Sequence, residues 1–558
     1  MAGTETWPVD PFVQPAPSRR ISAPLDVTRS QSLKMNLTLP RLSPVTDHAH
    51  GSQRYGFVLL ALCCGQVLLW GCAFGFTYQA PEIDSAEQFV WAFSMENGYW
   101  KHPPMPSWIM HGLLRVFGPS VALPFVAAQV CVVVALALVW RLGCEFMSPR
   151  RSLIATVLTS LVAYHNVGAD SFNHSTALLP FQAATVLLFF MASRRGAMSL
   201  WALAGLFAGL SMLVKYVALF PIAGLLLYFM VDRRLHDRRG LAGLAVALAV
   251  CIVVLVPHLL WLESTDFLPF RYARSVAKSL PGTWVQLQSL GDFTLVQAIR
   301  ALPLALGLGY VLVGRAVPPP PEGVAPRPQP RDLMFLGMAA VCPLMFTMLF
   351  AVLSQTELQS RWGTNAFLYS GLAAMAWVGR ADTSLMLRRT IGTAVVSHVL
   401  LSSGMALAKT VLADQIHFKT RANFPGALLA AEAAKVWKEH SDAPLRIVVS
   451  DIWLGGNIVA HNRHRVAVLI DGHIFKSPWV DENAITQCGA LVLDDLAEGG
   501  IATRADSPAL DRLMARATVT GIWNLPWAMS QRQATDSATG VVRWGIIQPG
   551  NPAACALR

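Results

Sequence analysis

The sequence predicts a polytopic α-helical membrane protein of about eleven transmembrane helices, followed by a small C-terminal α/β domain. Three observations predict it. Of the 558 residues, 54% are hydrophobic and only 14% are charged, which departs from the usual balance of a soluble domain. The charges gather in short clusters between long apolar runs. From about Asp414 onward the chain changes character, and short β-rich runs alternate with helical stretches.

In chain order, residues 1–54 are rich in Pro, Ser and Arg without a hydrophobic period, and read as a disordered cytoplasmic tail. The first apolar run, 57–76, is long enough to span and too internal for a cleaved signal peptide. Runs at 121–142, 153–167 and 177–192 follow. The stretch 200–231 is apolar for two short spans, broken only by Lys215 and Tyr216. Holding an ammonium in hydrocarbon costs about 3 kcal/mol even on the lenient insertion scale, so a hairpin with Lys215 at its tip is expected. Later runs cover 241–262, 294–313, 333–353, 366–378 and 391–411.

The net charge of +11 does not call for nucleic acid, because the basic residues flank apolar runs. Arg150-Arg151, Arg194-Arg195, the run 233–239, Arg315 and Arg388-Arg389 all fall on one side of this span count. Positive-inside bias makes that side cytoplasmic, together with the N-terminus and a proline-rich linker at 318–330. The loops 81–108 and 263–292, and everything after Val411, then lie outside. Outside, a helix at 427–440 and strands at 446–450, 465–470 and 490–493 suggest the α/β domain, 412–558. Most of the nine cysteines lie in or beside apolar runs, where a small reduced hydrophobe is expected. Cys488 and Cys555 lie in the outer domain, and their spacing leaves pairing open.

The chemistry concentrates in the first outer loop, 81–108. Glu82, Asp84, Glu87 and Glu96 are carboxylates at the membrane surface; Asp84 and Glu87, three apart, share a face in a helical turn. They suit a base that takes a proton from a hydroxyl nucleophile, or, more plainly, a solvated acidic rim. In the sequence from Gly98 to Pro104, two successive prolines stiffen a turn that carries Lys101 and His102. Tyr99, Trp100 and Trp108 suit interfacial anchoring or sugar stacking. Lys215 with Tyr216, His258 behind Pro257, and Arg271 and Arg274 add polar and cationic groups fit for a phosphate. A snorkelling lysine, a packed histidine and a solvated basic face are their plainer readings. Asp170, Asn173 and His174 form another polar outer loop. Glu87 with His102 is the pair to suspect for a divalent cation, but two ligands do not make a metal site, so no cofactor or required metal is expected.

These residues carry a family resemblance. Asp84-Ser-Ala-Glu87, followed by the run from Gly98 to Pro104 and Met105, resembles the first periplasmic loop of the glycosyltransferase family 39 / PMT-2 group of the GT-C superfamily. That group includes bacterial aminoarabinose lipid A transferases and protein O-mannosyltransferases. The run from Trp201 to Tyr216, with Gly205, Gly209 and Lys215, is similar to the group's W-x-L-A-G-L-x-x-G-L-x-x-L-x-K-Y segment, and 257–261 to the end of its seventh span. The resemblance covers most of 57–370. One position departs: Ser85 stands where the group commonly has Glu.

The resemblance implies a GT-C fold in the bacterial inner membrane and transfer of a sugar from a polyprenyl-phosphate donor to a lipid, glycan or protein acceptor on the periplasmic face. It implies Asp84 as the catalytic base, with Glu87 as second carboxylate, attack with inversion, and cations, Lys215 first and then Lys101, Arg271 and Arg274, against the phosphate. A transporter or flippase of lipid-linked sugars is the alternative, but it calls for an internal repeat with polar residues at mid-span, which is not visible. A structural subunit has no need of so many polar groups on one face.

Overall fold

The computed structural model describes residues 46–280, 282–314, 328–379, 381–416, 418–496, 507–527 and 539–557. Most of the predicted tail and of the proline-rich linker, and Arg315, therefore lie outside the described residues. In hydrocarbon a backbone has only itself to bond to, so each apolar run folds as a helix. The helices are α1 (Thr46–Gly75), α2 (Ile83–Trp91), α3 (Met105–Phe117), α4 (Ala122–Gly143), α5 (Pro149–Ser160), α6 (His174–Arg195), α7 (Met198–Val214), α8 (Leu219–Val231), α9 (Arg238–Ser264), α10 (Leu268–Val276), α11 (Thr283–Leu312), α12 (Pro330–Ser354), α13 (Ser370–Trp377), α14 (Ser384–Leu407) and α15 (Ala413–Gln415).

Every predicted run coincides with a helix, but not every helix is a full span. Seven helices among the described residues are long and apolar enough to cross a membrane: α1, α4, α6, α9, α11, α12 and the continuous Ser384–Gln415. Pro149–Ser160 and the short turns of Ala163–Ala169 form a pair bent by 87°, an eighth span if counted together. α7 and α8 are shorter apolar helices, and α13 has 8 residues. The apolar stretch breaks at Lys215, as expected, with that residue in extended conformation at the end of α7.

Small residues let the helices that carry the site approach closely. A side chain at Gly205 would lie 2.1 Å from the Ala247 carbonyl, and one at Gly209 2.9 Å from Val254. The glycine pair of the Trp201–Tyr216 segment is thus the contact of α7 with α9, as small residues four apart provide in membrane helices. It fixes the axis that delivers Lys215 to the end of the bundle. The opposite end is basic. Arg194 pairs with Asp332, Arg331 with Asp232, and Arg195 with Glu145 at 2.8 Å. The core between the ends is aromatic and aliphatic, around Phe189, Phe190, Tyr228 and Phe335.

After the bundle come α16 (Gly426–His440), β1 (Ile447–Ser450), α17 (Ile452–His461), β2 (Ala467–Ile470), α18 (Glu482–Cys488), β3 (Ala490–Asp495), α19 (Pro508–Ala515), β4 (Val519–Pro526) and β5 (Thr539–Ile547). The sheet order is β2-β1-β3-β5-β4; the first three strands are parallel and the last two antiparallel. β1 and β2 are buried along their whole length, as parallel strands covered on both faces must be. Cys488 and Cys555 are joined in a disulfide that ties the C-terminal segment to the end of α18. The domain does not stand apart: a side chain at Gly456 of α17 would lie 2.5 Å from Ala86 Cβ, so α17 lies directly on α2. His461 Nε2 donates to the Gln79 carbonyl at 2.9 Å, just before α2.

Candidate active site

α2 is nine residues long, has Asp84 in its first turn, and is almost entirely buried from Ser85 to Trp91. Ser85, where a second carboxylate was expected by resemblance, accepts from the Phe172 amide at 3.1 Å and is 0% exposed. It ties α2 to the loop before α6, a position a charged side chain could not occupy without a partner. The two remaining acids of α2 then diverge. Asp84 faces outward, its side chain 36% exposed, and pairs with Arg361, itself 59% exposed on the short 3-10 turn Ser360–Gly363. Glu87 faces inward, with 9% exposure, and bonds Lys101 Nζ at 2.6 Å. Burial pushes the Glu87 carboxyl up from the usual range, and the Lys101 ammonium opposes that rise.

Lys101 and His102 are held by a tight turn in which the Tyr99 amide donates to the His102 carbonyl and the His102 amide to Tyr99, at 3.0 and 3.1 Å. Tyr99 stacks on Trp91 with ring centroids 4.9 Å apart. His102 lies against His174, centroids 4.0 Å apart, and burial pulls its imidazole down to about 3. Glu87, His102 and His174 place three ligand atoms within 4.8 Å of one another, so the predicted pair gains a third member. These residues fit a divalent cation by donor type. The Lys101 ammonium already neutralises Glu87, however.

Lys215 Nζ donates to Ser175 Oγ at 2.8 Å, and burial pulls its ammonium down to about 8, against the influence of Asp84. Tyr216 donates to His258 Nε2 at 2.9 Å, while His258 Nδ1 donates to the Asn97 carbonyl at 2.7 Å. The first outer loop, the break between α7 and α8, and α9 are thus tied together. Arg271 and Arg274, on α10, are exposed; Arg271 pairs with Asp266, and among the described residues neither arginine has a recorded bond to the first outer loop.

A second set of groups joins two acids named from sequence, Glu82 and Asp170, to cations that were not. Lys409 bonds Glu82 and Asp170, both at 3.0 Å, and Arg421 lies 3.6 Å from Glu82. Lys409 sits in a π-helical turn, Ala408–Leu412, inside an apolar run. A lysine there was a legible signal, since an intramembrane charge is costly without a role, and π turns concentrate at functional sites. Arg361 gave only a weak signal, as one arginine between two spans.

Residues 101–261, from Lys101 of the turn to Trp261 of α9, match the PMT_2 family model, described as dolichyl-phosphate-mannose-protein mannosyltransferase. Lipopolysaccharide core galacturonosyltransferase RgtA of Rhizobium johnstonii is 25% identical over 79% of this chain and 87% of its own. Lipid A galacturonosyltransferase RgtD of the same organism is 26% identical over 35% of this chain and 41% of its own. The chain is a glycosyltransferase. The resemblance to the PMT-2 group, drawn from the loop, the α7 segment and the end of α9, holds. The transferase also shares its fold with ArnT from Cupriavidus metallidurans. In the apo state the TM-score is 0.55 at 12% identity, covering 88% of this chain and 98% of that one. In the complex with undecaprenyl phosphate it is 0.51 at 13% identity, with 87% and 97% covered. The shared fold and the seven helices among the described residues that are long and apolar enough to span mark the transferase as a multi-pass membrane protein. Asp84 lies outside the matched family segment.

Proposed function

We propose that the transferase moves a sugar from a polyprenyl-phosphate donor to an anionic glycolipid of the lipid A or lipopolysaccharide class. Supporting the acceptor class is the likeness to RgtA along 79% of the chain; supporting the donor is the fold shared with an ArnT that binds undecaprenyl phosphate. The single observation that carries the chemistry is one outward carboxylate, Asp84, paired with Arg361 and near Lys215 at one end of the bundle.

In this reading Asp84 accepts the acceptor's hydroxyl proton as that oxygen bonds the anomeric carbon. The carbon–oxygen bond to phosphate breaks on the opposite face, with inversion. The polyprenyl phosphate leaves with the charge, and Lys215 and Arg361 stabilise it. Lys101 serves Glu87 instead, and positions the turn. A divalent cation at Glu87, His102 and His174 is not required in this account, because the Lys101 ammonium supplies the charge. The site end faces the periplasm and the basic end the cytoplasm, by positive-inside bias, in an inner membrane crossed about eleven times with α7, α8 and α13 counted as short spans. The Cys488–Cys555 disulfide suits an oxidising compartment.

Membranes supplied with polyprenyl-phosphate donors carrying radiolabelled sugar test it. Label entering the glycolipid fraction with the wild type and not with Asp84→Asn is expected. Label entering only protein would contradict the acceptor class.

A further inference from the structure

The end of α2 away from Asp84 borders a second concave region, between α3 and the outer domain, whose lining is basic and carries no acid. The groove has a volume of about 200 Å³. Arg115 enters from the last turn of α3, and Arg463, His464 and Arg465 from the turn between α17 and β2. The floor is apolar, formed in part by Phe89, Phe93 and Leu114. Arg465 donates to the Phe93 carbonyl and lies over its ring at 4.2 Å, which fixes the guanidinium at the groove wall. Burial first, and then the nearby Arg115, hold the Arg465 guanidinium below its ordinary range. Among the described residues, no salt bridge is recorded for Arg115, Arg463 or Arg465. Three exposed guanidiniums lining one groove without a carboxylate make a positive surface that attracts an anion.

Place narrows the anion. Arg115 is followed within a few residues by α4, a membrane span, so the groove lies at the level where headgroups meet water. Val116 and Phe117, next to Arg115, are 73% and 70% exposed, as residues reaching into lipid would be. The charge, the apolar floor and this depth fit one occupant.

We propose that the groove binds the phosphorylated headgroup of an anionic membrane glycolipid, and holds the acceptor by a phosphate remote from the hydroxyl that reacts. The proposal rests on the glycolipid reading of the acceptor, and it adds a site that α2 joins to Asp84. A phosphate captured on the far side of α2 selects phosphorylated acceptors without taking part in the chemistry.

The test is retention of lipid A, and of its dephosphorylated form, by the full-length protein in neutral nanodiscs, for the wild type, Arg115→Gln/Arg463→Gln, and Asp84→Asn. Arg115 and Arg463 have no recorded side-chain bonds, so the double variant is expected to fold; Arg465→Lys, which keeps the charge, serves as a second check. The expected result is at least a tenfold loss of lipid A retention in the double variant and in the wild type with dephosphorylated lipid. Asp84→Asn and Arg465→Lys should retain it within about twofold. In transfer assays the double variant should raise the acceptor KM about tenfold and leave the donor KM unchanged. Equal retention by the double variant, or equal retention of the dephosphorylated lipid, overturns the groove. Competition by millimolar inorganic phosphate as strong as that by lipid A also overturns it, in favour of a free-anion site. Absence of sugar transfer to any glycolipid by the wild type would instead overturn the acceptor reading, while retention still decides the groove.

Discussion

Asp84 and Glu87 sit three residues apart on one short helix, are both carboxylates, and have opposite fates. Asp84 is 36% exposed beside Arg361, itself 59% exposed, while Glu87 is 9% exposed and closed by Lys101 at 2.6 Å. A general base must meet both substrate and its proton, so access decides the role. A buried acid with its own ammonium builds the loop instead. In the proposed function a motif with two acids thus divides into one chemical and one architectural residue, on a helix held against α17 at Ala86.

The comparison is broken most readily at Asp84. Asp84→Asn should lower kcat about 10²–10⁴-fold with thermal stability nearly unchanged, measured as labelled sugar transferred per folded molecule. At Glu87 the effect should appear in stability. Glu87→Gln leaves the Lys101 ammonium buried without its counter-ion and should cost about 3 kcal/mol, read from denaturation of the detergent-solubilised protein. The double exchange Glu87→Lys/Lys101→Glu should restore most of that loss. Arg361→Gln sharpens the contrast from the cation's side: kcat should fall roughly ten- to a hundredfold while stability holds.

A smaller effect concerns pH. The Lys215 ammonium, pulled down to about 8 by burial, is charged below that value and loses its proton as pH rises through it. The donor KM should therefore be lowest below pH 8 and rise above it, and Lys215→Met should raise it about tenfold and flatten the profile. Smallest of all should be chelation. With Lys101 as the counter-ion of Glu87, EDTA should change transfer by less than about twofold; a loss of tenfold or more, reversed by a divalent cation, would assign Glu87, His102 and His174 as a metal site.

Much of this was legible in the sequence. The apolar runs mark the helices because hydrocarbon leaves the backbone no other choice. The parallel strands were visible as continuous apolar segments, and the stiff turn at Lys101 and His102 as paired prolines. What the sequence hid depends on long-range contact. β4, whose residues alternate between half-buried and exposed, lacks a buried apolar run, and with β5 it escaped notice. Arg361 lies 277 residues from Asp84, and nothing local announces their meeting. Lys409, 327 residues from Glu82, did announce itself as a charge within an apolar run, but its partners could not be read. Ser85 was read as a departure from a family pattern; its bond to the Phe172 amide shows a structural use of the position.

The most direct measurement is the single-turnover rate of sugar transfer by Asp84→Asn and Glu87→Gln side by side, each normalised to folded protein. A loss of at least a hundredfold is expected for Asp84→Asn and of less than about tenfold for Glu87→Gln. The reverse order, with Asp84→Asn near wild type and Glu87→Gln inactive though folded, would contradict that expectation and make the buried acid the base.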